Sequence, residues 1–240
     1  VNDAILGDLS RVDVLNFWTK ATASGQVICI VAGPPCETWS AARFSYMPTP
    51  FNKHPPRPIR SIQEPWGKHN LTGRERAQLD LANQLLRATI MFLTLAATEG
   101  ISAIMEHPSL ADWLPAAPSS WRLQEIKMLE KLDHVDTVHI DQCCFGATAR
   151  KPTTLLAVNL PTLRLRAART TNGGRCHHPG GHTAAVGQTD DGSWRTAPLK
   201  CYPKALCELM AGAIMDHWEC LPNRTTDELA ETFVPEQFLP

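Results

Sequence analysis

The chain has almost no net charge: 23 Lys and Arg stand against 24 Asp and Glu, for a formal charge of -1. A global field drawing the whole molecule to nucleic acid or to a membrane surface is therefore excluded. No apolar run reaches the ~18 residues of a membrane span, and no signal-peptide pattern opens the sequence. The eight cysteines have no spacing of a disulfide framework, so reduced thiols and an intracellular setting are expected, with nucleus and cytoplasm not distinguished. Internal repeats and low-complexity tracts are also missing. What is there is globular composition, 43% hydrophobic and 20% charged over 240 residues, enough for one domain with a sizeable core.

Charge is uneven even though its sum is small. No acidic residue occurs between Asp141 and Asp190, a stretch holding Arg150, Lys151, Arg164, Arg166, Arg169, Arg175 and three histidines. A second acid-free stretch, between Glu37 and Glu64, holds Arg43, Lys53, Arg57 and Arg60. Two basic loops on a neutral chain fit either local contact with a polyanion or ordinary solvated charge.

The pattern along the chain is that of an α/β protein. Val27 to Ala32 is a continuous apolar run ending in Gly-Pro-Pro, as for a buried strand feeding a loop. Residues 33–71 have no periodicity and read as one long loop. Thr72-Gly-Arg-Glu75 matches a capping box, and Leu79, Ala82, Leu86, Ile90, Leu93 and Ala97 then recur at helical spacing up to Gly100. Ile101 to Met105 reads as a second buried strand ending at Glu106-His107-Pro108. A short helix over 120–132, strands over 135–140 and 153–158, an irregular stretch over 160–200 and a last helix over 203–218 complete the reading. In open α/β sheets the chemistry lies past the carboxyl ends of strands. Cys36 and Glu106 are each expected just past such an end, on successive strands.

A thiol and a carboxyl so placed can serve as nucleophile and proton-handling group. Four landmarks give this pair a context. Gly33-Pro34-Pro35-Cys36 with Ser40 resembles the Pro-Cys motif of the cytosine-C5 DNA methyltransferases, and Ile104-Met105-Glu106-His107-Pro108 resembles their Glu-Asn-Val motif. Gln142 to Leu155, with Phe145-Gly146 and Arg150-Lys151-Pro152-Thr153, resembles a later segment of the phage-type members, and Tyr202 to Ile214 falls where the last motif closes the cofactor pocket. They cover roughly residues 7–216 in the family's order. The resemblance implies a Rossmann-like core that uses S-adenosylmethionine to methylate cytosine C5 in DNA, with RNA as another substrate class. It implies that Cys36 attacks ring C6, that Glu106 supports N3, and that Arg150 or Lys151 holds the base carbonyl or a phosphate. Gly33, Pro34, Pro35 and Asp8 would border the cofactor. Residues 1–218 would form the catalytic domain, with 160–200 as a short basic loop in place of a target-recognition region and 219–240 as a peripheral acidic tail.

The chain departs from this family at its start. The Phe-Gly-Gly type loop that holds the methyl donor, and the next strand ending in an acid, do not occur. The core is thus expected to lack its first strands, leaving the Val27 strand at a sheet edge, to be completed by a partner chain or a missing segment. Two other functions stay open. One is a non-catalytic nucleic-acid-binding remnant. The other is a zinc-binding interaction module built on Cys176, His178, His182 and Cys201, a spacing that is no standard finger, so zinc is not expected. Trp39, Trp66 and Trp113 lie near the site loops, where packing or stacking on an extruded base would occupy them.

Overall fold

The computed structural model describes residues 7–44, 56–177, 180–183, 193 and 195–220. His178, Lys53 and the tail acids from Asp227 onward lie outside the described residues. Four strands form one mixed sheet in the order β1-β2-β4-β3. They are β1 (Cys29–Ala32), β2 (Ser102–Pro108), β3 (Val135–Asp141) and β4 (Pro152–Val158). β1 and β2 are parallel, whereas β4 runs antiparallel to both β2 and β3. The α/β class holds, and β1 is the edge strand that was expected.

Helices cover both faces. α1 (Val12–Ala23) and α2 (Gly73–Glu99) precede β1 and β2, α3 (Gln124–Leu129) precedes β3, and α4 (Thr162–Ala168) and α5 (Lys204–Glu219) follow β4. Side chains alternate across the pleat. Ala103, Met105, Leu156 and Val158 therefore pack with Leu86, Leu93 and Ala96 of α2 and Ile126 and Leu129 of α3. Ile104, Leu155 and Ala157 pack on the other face with Leu163 and Ala167 of α4 and Leu206, Met210 and Ala213 of α5.

α2 begins and ends as its sequence dictates. The Thr72 hydroxyl accepts from the Glu75 amide while the Glu75 carboxylate accepts from the Thr72 amide, and Gly100 closes the helix at φ 69°. This 27-residue helix is long and apolar enough to cross a membrane, by length and composition only, although no 18-residue apolar run was apparent in the sequence. In this fold its buried stripe belongs to the sheet core.

Four local expectations are corrected. Glu106 lies inside β2, not past its end, because pairing with β4 continues to Pro108 opposite Thr153. The helix expected over 120–132 is a 3-10 turn at Ser120–Arg122 followed by the six residues of α3. α4 interrupts the stretch read as irregular, held by the Leu163 and Ala167 stripe. α1, for which no element was expected, packs on α2, where the Gln84 side-chain amide donates to the Ser10 carbonyl.

Candidate active site

The direction of β4 assembles the site. Because β4 is antiparallel to β2, its first residues lie beside the last residues of β2. The turn Gln142–Phe145 and the Arg150-Lys151 pair, which link β3 to β4, are thereby brought to the carboxyl end of β2. Glu106, on the α5 face and 5% exposed, lies at their meeting point. Lys151 Nζ is 3.2 Å from Glu106 Oε1, and the same ammonium donates to the Leu199 carbonyl at 3.3 Å. Gln142 Nε2 reaches Glu106 Oε1 at 3.4 Å and the Thr153 hydroxyl at 3.1 Å. The Tyr202 hydroxyl donates to Glu106 Oε2 at 2.9 Å. Burial, then the Glu106 carboxylate, pushes the Tyr202 phenol well above its ordinary range.

Cys36 stands four residues beyond β1, half-buried, where its carbonyl accepts from the Trp39 amide at 3.0 Å to close a turn. Burial raises its thiol pKa above the ordinary value; the positive charge of Lys151 opposes that rise, and the carboxylates of Glu37 and Glu106 add to it. A thiol in the loop after β1, a carboxyl within β2 and an ammonium just before β4 thus act on one another.

The turn carrying Cys36 rests on a buried cation. Arg60, 0% exposed, donates from Nε to the Thr38 hydroxyl at 3.0 Å and from Nη1 to the Pro65 carbonyl at 2.7 Å, and its guanidinium lies 4.0 Å from the Trp39 ring centroid. Burial lowers its pKa to about 9. Trp39 meets His107 edge-on, and His107 meets Trp121 the same way, each at 6.3 Å between ring centroids. His107 is wholly buried, its Nδ1 2.8 Å from the Ser120 hydroxyl, and burial lowers its pKa to about 3.

The other expected residues divide. Arg150 turns away from Glu106 to the buried Asp141, at 3.1 Å, so Lys151 is the member of that pair that reaches the carboxyl. Trp39 is buried in packing, Trp66 is half-buried under Arg87, and Trp113 is 69% exposed. The first basic stretch is committed to structure: Arg57 pairs with Glu75, Arg43 donates to the Glu37 and Arg57 carbonyls, and Arg60 is buried. Arg164 and Arg166 pair with Asp136 and Asp216. Cys176 and His182 do come together, but with Cys143, whereas Cys201 is exposed and not among them. The sequence reading gave no site role to Arg60, Gln142 or the Tyr202 hydroxyl.

No family model, curated protein or solved structure matches the chain. The site must be read from its own geometry.

Two of the four residues expected to border S-adenosylmethionine, Asp8 and Gly33, are exposed. The Asp8 carboxylate is taken by the Ser10 amide and hydroxyl at 3.0 and 2.6 Å, which lowers its pKa. At Gly33, a Cβ would meet the Tyr202 hydroxyl at 2.4 Å, so Tyr202 stands against one side of this exposed glycine. Pro34 is buried and Pro35 half-buried.

Proposed function

We propose that the chain engages a cytosine base of DNA in the manner of the cytosine-C5 methyltransferases it resembles, with Cys36 as the group that attacks ring C6. The observation that carries this reading is the Lys151–Glu106 ion pair, whose two charges both act on the Cys36 thiol after the neighbouring parallel strand, on the landmarks of the resemblance. RNA presents the same ring and is the second substrate class.

The chemistry follows from the groups present. The Cys36 thiol gives up its proton to solvent, assisted by the positive charge of Lys151, and the thiolate sulfur forms a bond to C6. The C5–C6 double bond opens, and the electron pair resides on C5 and the ring carbonyl. Glu106 handles the proton at N3, and Lys151 offsets the developing negative charge. C5 then takes a proton from solvent. Loss of the original C5 hydrogen and expulsion of the thiolate restore the ring. Before this, the base must leave its stack and displace the Tyr202 hydroxyl from Glu106 Oε2. None of these steps requires the methyl donor.

The measurement is exchange of the cytosine C5 hydrogen with heavy water, in an oligonucleotide, without methyl donor. Exchange lost in Cys36→Ser is the expected outcome. A chain that binds the oligonucleotide but gives no exchange is a non-catalytic binding protein, the second reading.

A further inference from the structure

A second group of reactive side chains lies away from Cys36. Cys143 stands in the 3-10 turn that leaves β3, while Cys176 and His182 lie on the segment after α4. The two sulfurs and one imidazole nitrogen lie within 4.8 Å of one another, all three side chains half-buried. Cys176 Sγ is 3.5 Å from His182 Nε2. Two cysteines and a histidine from segments more than thirty residues apart converge on one point.

The approach is built into the backbone around it. The Cys176 amide donates to Asp141 Oδ2 at 2.9 Å, and the Thr183 amide donates to the Thr148 carbonyl at 2.9 Å. Gly174, at φ 74°, comes so close that a Cβ would stand 3.1 Å from Ile140 and 3.4 Å from Phe145. Only glycine combines that φ with that proximity. The segment is thus pressed onto the β3–β4 connection on both sides of the thiols.

We infer that Cys143, Cys176 and His182 form a structural zinc site. Two thiolates and an imidazole are the donor set that selects a soft or borderline tetrahedral ion, zinc above all in a reducing setting. Binding releases the two thiol protons as two zinc–sulfur bonds form, with no change of oxidation state. The sequence grouped Cys201 with Cys176, His178 and His182; the turn after β3 supplies the second sulfur instead, from Cys143. The ion would fasten residues 171–177 and 180–183 to the connection that carries Gln142 and Lys151, two partners of Glu106. The inference does not depend on what Cys36 does.

The test is zinc content of the full chain, purified without a histidine tag or chelator, followed by replacement with cobalt. One zinc per chain is expected, with thiolate-to-cobalt charge transfer and tetrahedral d–d absorption. Cys143→Ser, Cys176→Ser and His182→Gln should each weaken zinc binding by more than the roughly 10- to 100-fold typical of losing an outer-shell partner. Cys207→Ser, at an exposed cysteine on α5, should bind as the parent does. Cys143→His separates lost ligation from lost folding: it should keep the metal while its charge-transfer band weakens. No stoichiometric zinc in the parent chain, or zinc retained equally in all three variants, would overturn the assignment. So would a Cys143–Cys176 disulfide in freshly isolated protein.

Discussion

His107 gives the buried layer behind the site a titration of its own. Its ring lies between Trp39 and Trp121, wholly buried, with burial and then the charges of Lys151 and Arg60 lowering its pKa to about 3. In the unfolded chain a histidine titrates near ~6.5. The folded protein therefore binds this proton more weakly than the unfolded chain, and stability falls as pH falls. The contribution is intact above the unfolded pKa and is lost progressively between about 6.5 and about 3. Between pH values of about 7.5 and 5 the linkage amounts to roughly 2 kcal/mol, a large share of the ~5–15 kcal/mol of an ordinary domain. Carboxylates with depressed pKa values, such as Glu75 and Asp216 at about 2, add their own loss only at lower pH. Urea unfolding at the two pH values, for the parent and for His107→Gln, isolates the effect, because His139 and the other histidines are common to both. The parent should lose about 2 kcal/mol more than the variant on acidification. Equal losses would refute the argument, since they would mean that His107 takes up its proton in the folded state as readily as in the unfolded one.

Two further variants probe the site's supports. Lys151→Met removes the charge that opposes the upward shift of the Cys36 thiol, so the pH profile of Cys36 alkylation should move to more alkaline values; the Glu106 carboxyl, left without its ammonium, should cost about 3 kcal/mol in unfolding free energy. Arg60→Ala empties the space under the Cys36 turn and removes the bonds to Thr38 and Pro65, for an expected loss of about 3 kcal/mol by chemical denaturation and faster alkylation of Cys36.

The parts of this fold that rest on local pattern were legible in the sequence. Thr72 and Glu75 wrote the start of α2, Gly100 its end, and the apolar runs before Cys36 and Glu106 were strands side by side. The direction of β4 was not legible, because alternation of side chains is the same for parallel and antiparallel pairing. Yet that direction is what brings Gln142 and Lys151 to Glu106. α4 was hidden for another reason: its Arg166 is spent on Asp216 of α5, and only Leu163 and Ala167 mark a buried stripe over seven residues. Arg60 was read as surface charge because nothing in the sequence around it announces the Trp39 ring it covers. Tyr202, nearly a hundred residues from Glu106, is tied to it only by the packing of the segment that precedes α5.

The most direct test of the account follows deuterium entering C5 of a single target cytosine by mass spectrometry, with no methyl donor present. Four proteins are compared: the parent, Cys36→Ala, Cys29→Ala and Glu106→Gln. Cys29, on β1, is partly buried and has its thiol pushed up to about 11, so it should be inert. The account predicts exchange in the parent and in Cys29→Ala, none in Cys36→Ala, and exchange slowed roughly 100-fold or more in Glu106→Gln, as for loss of a general acid–base group. Exchange that survives in Cys36→Ala, or an inert parent that nevertheless holds the oligonucleotide, would contradict it.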